Sequence, residues 1–159
     1  MSQVSDNQAA SEEEYRNIFE AASDGLLIYD IGLDSVVEVN SAACEMHGYN
    51  RPEFIGLNPA VLMLPESHAP FIEQVRAAER GRVFELLIVH IRKDGSSFHA
   101  EVRRSPINYR GRPCLLNTIR DVSQRIQTEK ILAGQVKAQM HSTSKPINTL
   151  FSFAATLTR

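Results

Sequence analysis

Between Val83 and Ser123 the chain carries three strand-like runs divided by two turn signals, and no other stretch restricts the fold as tightly. The first run, Val83 to Ile91, is apolar and rich in β-branched residues, which suit a pleated, half-buried surface. Asp94-Gly95 follows it. Asp-Gly between two such runs marks a hairpin, because a tight hairpin turn needs φ > 0. From Ser97 to Arg104, Phe98, Ala100 and Val102 alternate with His99, Glu101 and Arg103, a period of two that separates a buried face from a solvated one. Asn108 to Pro113 turns the chain again, Cys114 to Arg120 forms the third run, and Asp121-Val122-Ser123-Gln124-Arg125 comes directly after it. Three runs joined this closely predict an antiparallel meander that hands over to a helix.

The preceding half reads as strands and short helices. Ser11-Glu12-Glu13-Glu14 is a capping-box sequence, so residues 1–10 are expected to fray and a helix to cover 11–22. Tyr15, Ile18, Phe19 and Ala22 fall on one stripe of that helix, which must be covered by the chain's own sheet or by a partner chain. Ser23-Asp24-Gly25 breaks the helix, Leu26–Ile31 and Ser35–Asn40 read as two strands, and Gly32-Leu33-Asp34 turns between them. Asn40-Ser41 looks like a helix cap, Pro52 and Gly56 bracket a short helix, and Pro65 to His68 opens another that Gly81 stops.

This order, with Val39-Asn40-Ser41-Ala42-Ala43, Met46-His47-Gly48-Tyr49, Arg51-Pro52-Glu53-Phe54-Ile55-Gly56 and the closing D-V-S-x-R, resembles a PAS sensor domain over roughly Tyr15 to Arg125. The resemblance implies an α+β PAS fold: a five-stranded antiparallel sheet with short helices on one face, an N-terminal cap helix and a long C-terminal coiled-coil helix. It divides the chain into a disordered start (1–10), a cap helix (11–22), the PAS domain (23–121), a signalling helix (122–140) and a last segment (141–159).

Composition bounds the partners. At 159 residues, 43% hydrophobic and 23% charged, the chain fits one globular domain with extra length, and a net charge of −2 gives no argument for nucleic acid or an anionic membrane surface. No apolar run reaches the ~18–20 residues of a membrane span, and the polar start is not signal-like. Cys44 and Cys114 lie far apart without a C-x-x-C, as expected of buried thiols in a reducing cytoplasm.

Ligand chemistry must be read from the site, because one fold hosts many functions. Flavin-type light sensors of the family carry G-x-N-C-R-F-L-Q with a reactive cysteine; here Gly56-Leu57-Asn58-Pro59-Ala60-Val61-Leu62-Met63 places Pro59 at the thiol and Met63 at the flavin-contacting Gln. That argues against cysteine–flavin photochemistry. Haem-binding relatives carry a histidine near His68-Ala69-Pro70-Phe71-Ile72, which makes His68 a haem candidate; the competing reading is a surface residue at a helix start, with no resident cofactor. His47 sits before a glycine turn, and His90 and His99 lie on neighbouring strands without a metal-type cluster, so the two strand histidines read as half-buried packing residues and no metal is expected.

Asp121 is placed to cap the following helix, with Arg125 four residues on; in the family that pair ties the sheet to its output helix, which makes both signal-coupling candidates. Val122, Ile126, Glu129, Ala133, Val136 and Met140 step by four and three, a seven-residue pattern interrupted by Glu129. It fits either a helix folded back on the sheet or a parallel two-chain coiled coil. The expected dimer contacts are Tyr15, Ile18, Phe19, Ala22, Ile126, Ala133, Val136 and Met140.

The segment from Met140 to Ala154 resembles the phosphoacceptor box of a sensor histidine kinase: His141, then Pro146, Ile147 and Asn148 at the family's spacing. The resemblance implies that His141 attacks the γ-phosphoryl group of ATP held by a separate catalytic domain. Ser142 stands where the family usually has Glu or Asp. No phosphate-cradling G-x-x-x-x-G-K-[ST] or G-x-G-x-x-G occurs, so no catalysis is expected from this chain alone; it reads as the front of a longer kinase or as a short regulator. The leading expectation is a cytoplasmic, homodimeric PAS module of a two-component system, acting with a kinase domain and a response regulator. The alternatives are a stand-alone PAS interaction module without phosphotransfer and a haem or small-ligand sensor.

Overall fold

The computed structural model describes residues 2–143. Its elements in chain order are α1 (Ser2–Ala21), β1 (Gly25–Asp30), β2 (Ser35–Val39), α2 (Ser41–His47), α3 (Arg51–Phe54), 3₁₀ turns at Pro59–Leu62 and Pro65–Ser67, α4 (His68–Ala78), β3 (Phe84–Ile91), β4 (Ser97–Tyr109), β5 (Arg112–Asp121) and α5 (Ser123–Thr143). The five strands form one antiparallel sheet in the order β2-β1-β5-β4-β3, the α+β architecture that the motifs implied.

The meander forms as its turns dictate. β3 and β4 pair from Phe84↔Arg104 to Ile91↔Ser97 around Gly95 at φ 86°, a left-handed conformation that favours glycine. β4 runs past Arg104 to Tyr109, further than the alternation alone indicates, because β5 continues to pair with it there. Pro106 falls beyond the last β3 partner, where a residue without N–H is tolerated.

Phe98, Ala100 and Val102 do face the core, together with Leu27, Tyr29, Leu115 and Ile119 from the central strands and Phe54, Leu62 and Phe71 from the helical layer. The opposite face carries a smaller cluster of Phe19, Ile28 and Cys114, flanked by Ile107, Tyr109 and Leu116. The end of α1 thus lies on the sheet's outer face, stacking Tyr15 on Phe19 and leaning it towards Tyr109. The expected fraying of residues 1–10 is corrected: α1 starts at Ser2, ahead of the capping-box sequence, because neither Gly nor Pro interrupts the run to Ala21.

Asn40 joins three elements. Its Oδ1 accepts from Leu26 N (2.8 Å) and Ala43 N (3.0 Å), and its Nδ2 donates to Phe19 O and Asp24 O (both 3.0 Å). One fully buried amide therefore caps α2 and fixes it to β1 and to the end of α1. Gly25 allows that approach, since a Cβ there would lie 3.1 Å from Ala43 Cα.

By compactness the chain divides into one unit up to Val122 and a second from Ser123 onward, which contains α5.

Candidate functional site

The β3–β4 hairpin reaches from the helical layer to the end of the last strand. Arg92 Nε donates to Met46 O (3.0 Å), its guanidinium carbon lies 4.6 Å from the Phe98 ring centre, and its Nη2 lies 3.3 Å from Asp121 Oδ2. Lys93 N donates to His47 O (2.9 Å), and its Nζ meets Glu53 Oε1 at 2.6 Å. The last turn of α2, the start of α3 and the exit of β5 are thus held by two adjacent basic residues. At the same end of β5, Arg120 grips Asp24 through Nε and Nη2 (3.0 and 2.9 Å).

Behind the hairpin lies a polar interior. His47 Nδ1 donates to Ala43 O at 2.8 Å, which leaves Nε2 to accept from His90 Nδ1–H at 2.9 Å. Phe98 and Phe54 close on the His47 ring edge-to-face, at 5.2 and 5.5 Å between centres. Burial pushes His47 down to about 4 and His90 to about 3, with Arg104 adding to the effect on His90, so both rings are neutral at physiological pH. The expectation of a half-buried packing histidine is corrected for His90: it is buried, and it bonds His47, which is buried as well. Residue parity offered a signal, since His90 follows Leu86 and Ile88 on the core face of β3.

Arg104 is buried next to them. Its Nε donates to Asn117 Oδ1 (3.1 Å), Nη1 to Gln74 Oε1 on α4, and Nη2 to Met63 Sδ (3.8 Å), while the guanidinium lies over the Phe71 ring at 4.9 Å. Parity pointed inward here too, since Arg104 is two residues beyond Val102. A separate cleft of about 530 Å³ opens beside α4, lined by Tyr29, Asp34, His68, Phe71, Ile72 and Val75.

His68 lies at the rim of that cleft, half-buried, with Nε2 2.9 Å from Ala60 O and 3.3 Å from Met63 O. Pro59 is buried in the 3₁₀ turn that Asn58 caps. On α1, Phe19 is buried, Ala22 just beyond it is half-buried, Tyr15 is exposed at its edge, and Ile18 points away with 74% of its surface accessible. On α5, Ile126 is half-buried, Ala133, Val136, Met140 and His141 are exposed, and Arg125 lies 4.0 Å from Glu129. Pro146, Ile147 and Asn148 lie outside the described residues. Among the described residues no group of three or more His, Cys, Asp or Glu side chains is arranged to hold a metal, and no helix is long and apolar enough to cross a membrane.

A sheet in this order, flanked by short helices and followed by a helix after D-V-S-x-R, defines an α+β module of the PAS type. The sequence matches the PAS domain family over residues 23–124, and the chain belongs to that family. It is 28% identical over 129 residues to a methyl sulfide methyltransferase-associated sensor of Methanosarcina acetivorans, a match covering 80% of this chain and 13% of that much longer protein. Among solved structures it resembles the PAS domain of an HTR-like protein from Haloarcula marismortui, with a TM-score of 0.64 and 23% identity over 76% of this chain and 99% of that one. It also resembles a domain of a sensory box sensor histidine kinase/response regulator from Geobacter sulfurreducens, with a TM-score of 0.60 and 25% identity over 70% of this chain and 94% of that one.

Proposed function

We propose that this chain is the cytoplasmic sensory and dimerisation module of a two-component histidine kinase, and that it passes a signal through α5 to His141. The observation that carries this reading is α5 itself. It is a helix of 21 residues starting at Ser123, directly after the last strand, with Val136 56% and Met140 70% exposed on the stripe that Ile126 and Ala133 begin. Large apolar side chains aligned on a solvated helix call for a partner helix, and a second copy of α5 supplies one.

A change in the interior moves α2 or the β3–β4 hairpin, Arg92 carries that movement to Asp121, and the paired helices turn or slip in response. The His141 imidazole then attacks the γ-phosphorus of ATP on a separate catalytic domain, the bond to the β-phosphate oxygen breaks, and ADP leaves. A response regulator takes the phosphoryl group onward. The sensor name of the archaeal relative and the kinase context of the Geobacter domain support this placement. The reading assigns no haem to His68, whose Nε2 is engaged by the carbonyl oxygens of Ala60 and Met63. Cysteine–flavin chemistry is left out for want of a thiol at Pro59.

The test is radiolabel transfer from ATP onto the full chain by an added histidine-kinase catalytic domain. Label on the wild type that disappears in His141→Gln supports the reading. A dimer that takes no label is the second reading, a PAS interaction module, which Ser142 favours by standing in the place of the usual acid.

A further inference from the structure

Among the described residues three charged side chains are buried: Asp30 with 2% of its surface accessible, Glu38 with 7% and Arg104 with 3%. Two of them meet an opposite charge, Asp30 with Arg112 and Glu38 with Arg51. Arg104 has no carboxylate within 4.0 Å among the described residues, and every partner it has is neutral. Desolvation alone lowers it to about 10, so it stays a cation at neutral pH. The His90 ring nearby is itself neutral and supplies no counter-charge. A buried cation without an anion is costly, and natural sequences seldom keep one unless something uses it.

The guanidinium's surroundings show where an anion would go. Nε is committed to Asn117, whose own amide is tied back to Leu115 O (3.3 Å). The outer nitrogens rest on the ends of two flexible side chains, the Gln74 amide and the Met63 thioether, and sulfur is a poor acceptor for a cation. Their replacement by the two oxygens of a carboxylate gives the fork-to-fork pairing for which guanidinium is shaped.

The way in is also visible. Gln74 has its other side on a surface cleft of about 410 Å³ between the end of α4 and the start of β3, where Arg76, Arg80 and Arg82 gather beside Phe84. The single carboxylate there, Glu73, is already bonded to Arg76 at 2.9 Å. Three arginines around a cleft mouth concentrate small anions. α4 is held to the core mainly by Phe71 and Ala78, with Gln74 on the same helical face, so a swing of one side chain connects cleft and guanidinium.

We propose that Arg104 is the recognition residue of a buried site for a small organic carboxylate, which enters from the arginine-lined cleft and displaces the Gln74 amide and the Met63 thioether from the guanidinium. This deepens the sensory reading above by naming the class of ligand sensed. A carboxylate matches the fork with two oxygens and a single charge, whereas phosphate carries more charge and is more costly to dehydrate in a buried site.

The experiment is thermal unfolding and calorimetric titration of the full chain with succinate, acetate and inorganic phosphate at constant ionic strength. Succinate or acetate is expected to raise the unfolding midpoint in a saturable way, as a ligand of the native state must. Arg104→Met should weaken that binding by about tenfold or more, while Gln74→Ala retains it. A wild type that neither carboxylate shifts overturns the proposal. So does a shift that survives in Arg104→Met or that phosphate reproduces, since either puts the anion on the surface arginines. Should Arg104→Met not fold, the Arg104 Nε–H resonance of the wild type decides: succinate must move it and phosphate must not. Failure here leaves label transfer to His141 untouched, so the two readings fall separately.

Discussion

His47 Nε2 lies 2.9 Å from His90 Nδ1, and this bond joins the end of α2 to edge strand β3 through the middle of the core. Both rings are neutral when folded, with values of about 4 and about 3, whereas an unfolded histidine titrates near 6.5. Below that pH the unfolded chain takes up protons that the folded chain refuses. The stability is therefore fully present above pH 6.5 and is lost as pH falls towards the folded values. Glu20, Asp30, Glu53 and Asp94, all shifted down, lose stability only at lower pH, so the window just below 6.5 belongs to the histidines.

The expected slope approaches about 3 kcal/mol per pH unit, two protons' worth, between roughly pH 5.5 and 4.5. Urea denaturation at several pH values measures it, and a flat profile from pH 7 to 5 contradicts the buried neutral pair.

The Arg92–Asp121 pair is about a third exposed on each side, so its own contribution to stability is small, about 0.5–1 kcal/mol in a double-mutant cycle. Its effect on signalling should be larger. Asp121→Ala in an intact kinase is expected to leave the PAS core folded and to abolish the response of His141 phosphorylation to stimulus. An unchanged response removes this pair from the mechanism.

Asn40→Ala removes one acceptor that serves Leu26 N and Ala43 N and one donor that serves Phe19 O and Asp24 O. A lost cap and several unsatisfied backbone groups should together cost about 3 kcal/mol. The denaturation midpoint should fall with an unchanged m-value.

Val136→Lys and Met140→Lys place charge on the exposed stripe of α5 and should shift native mass spectra from dimer to monomer while leaving the circular dichroism of the folded PAS core unchanged. Ile18→Lys should act in the same way, because Ile18 contributes nothing to the core of its own chain. A wild type that is monomeric at micromolar concentration refutes the paired-helix mechanism.

Local chemistry made much of this fold legible. The Asp94-Gly95 turn, the alternation of Phe98, Ala100 and Val102 and the Asn40 cap all depend on neighbours in sequence, and all stand where the residues put them. The start of α1 did not, because a capping-box sequence can equally lie inside a longer helix when nothing upstream breaks it.

Strands, turns, caps and faces follow from the order of residues, since periodicity and turn chemistry act over a few positions. Which side chains meet across the core was settled by folding alone. His47 and His90 are 43 residues apart, Arg92 and Asp121 are 29 apart, and Arg104 and Gln74 are 30 apart. Parity could point His90 and Arg104 inward, but strand register and the seating of α2 and α4 chose their partners. The physical reason is that a buried polar group must be satisfied by whatever the packed chain brings to it, and no local pattern encodes that neighbour.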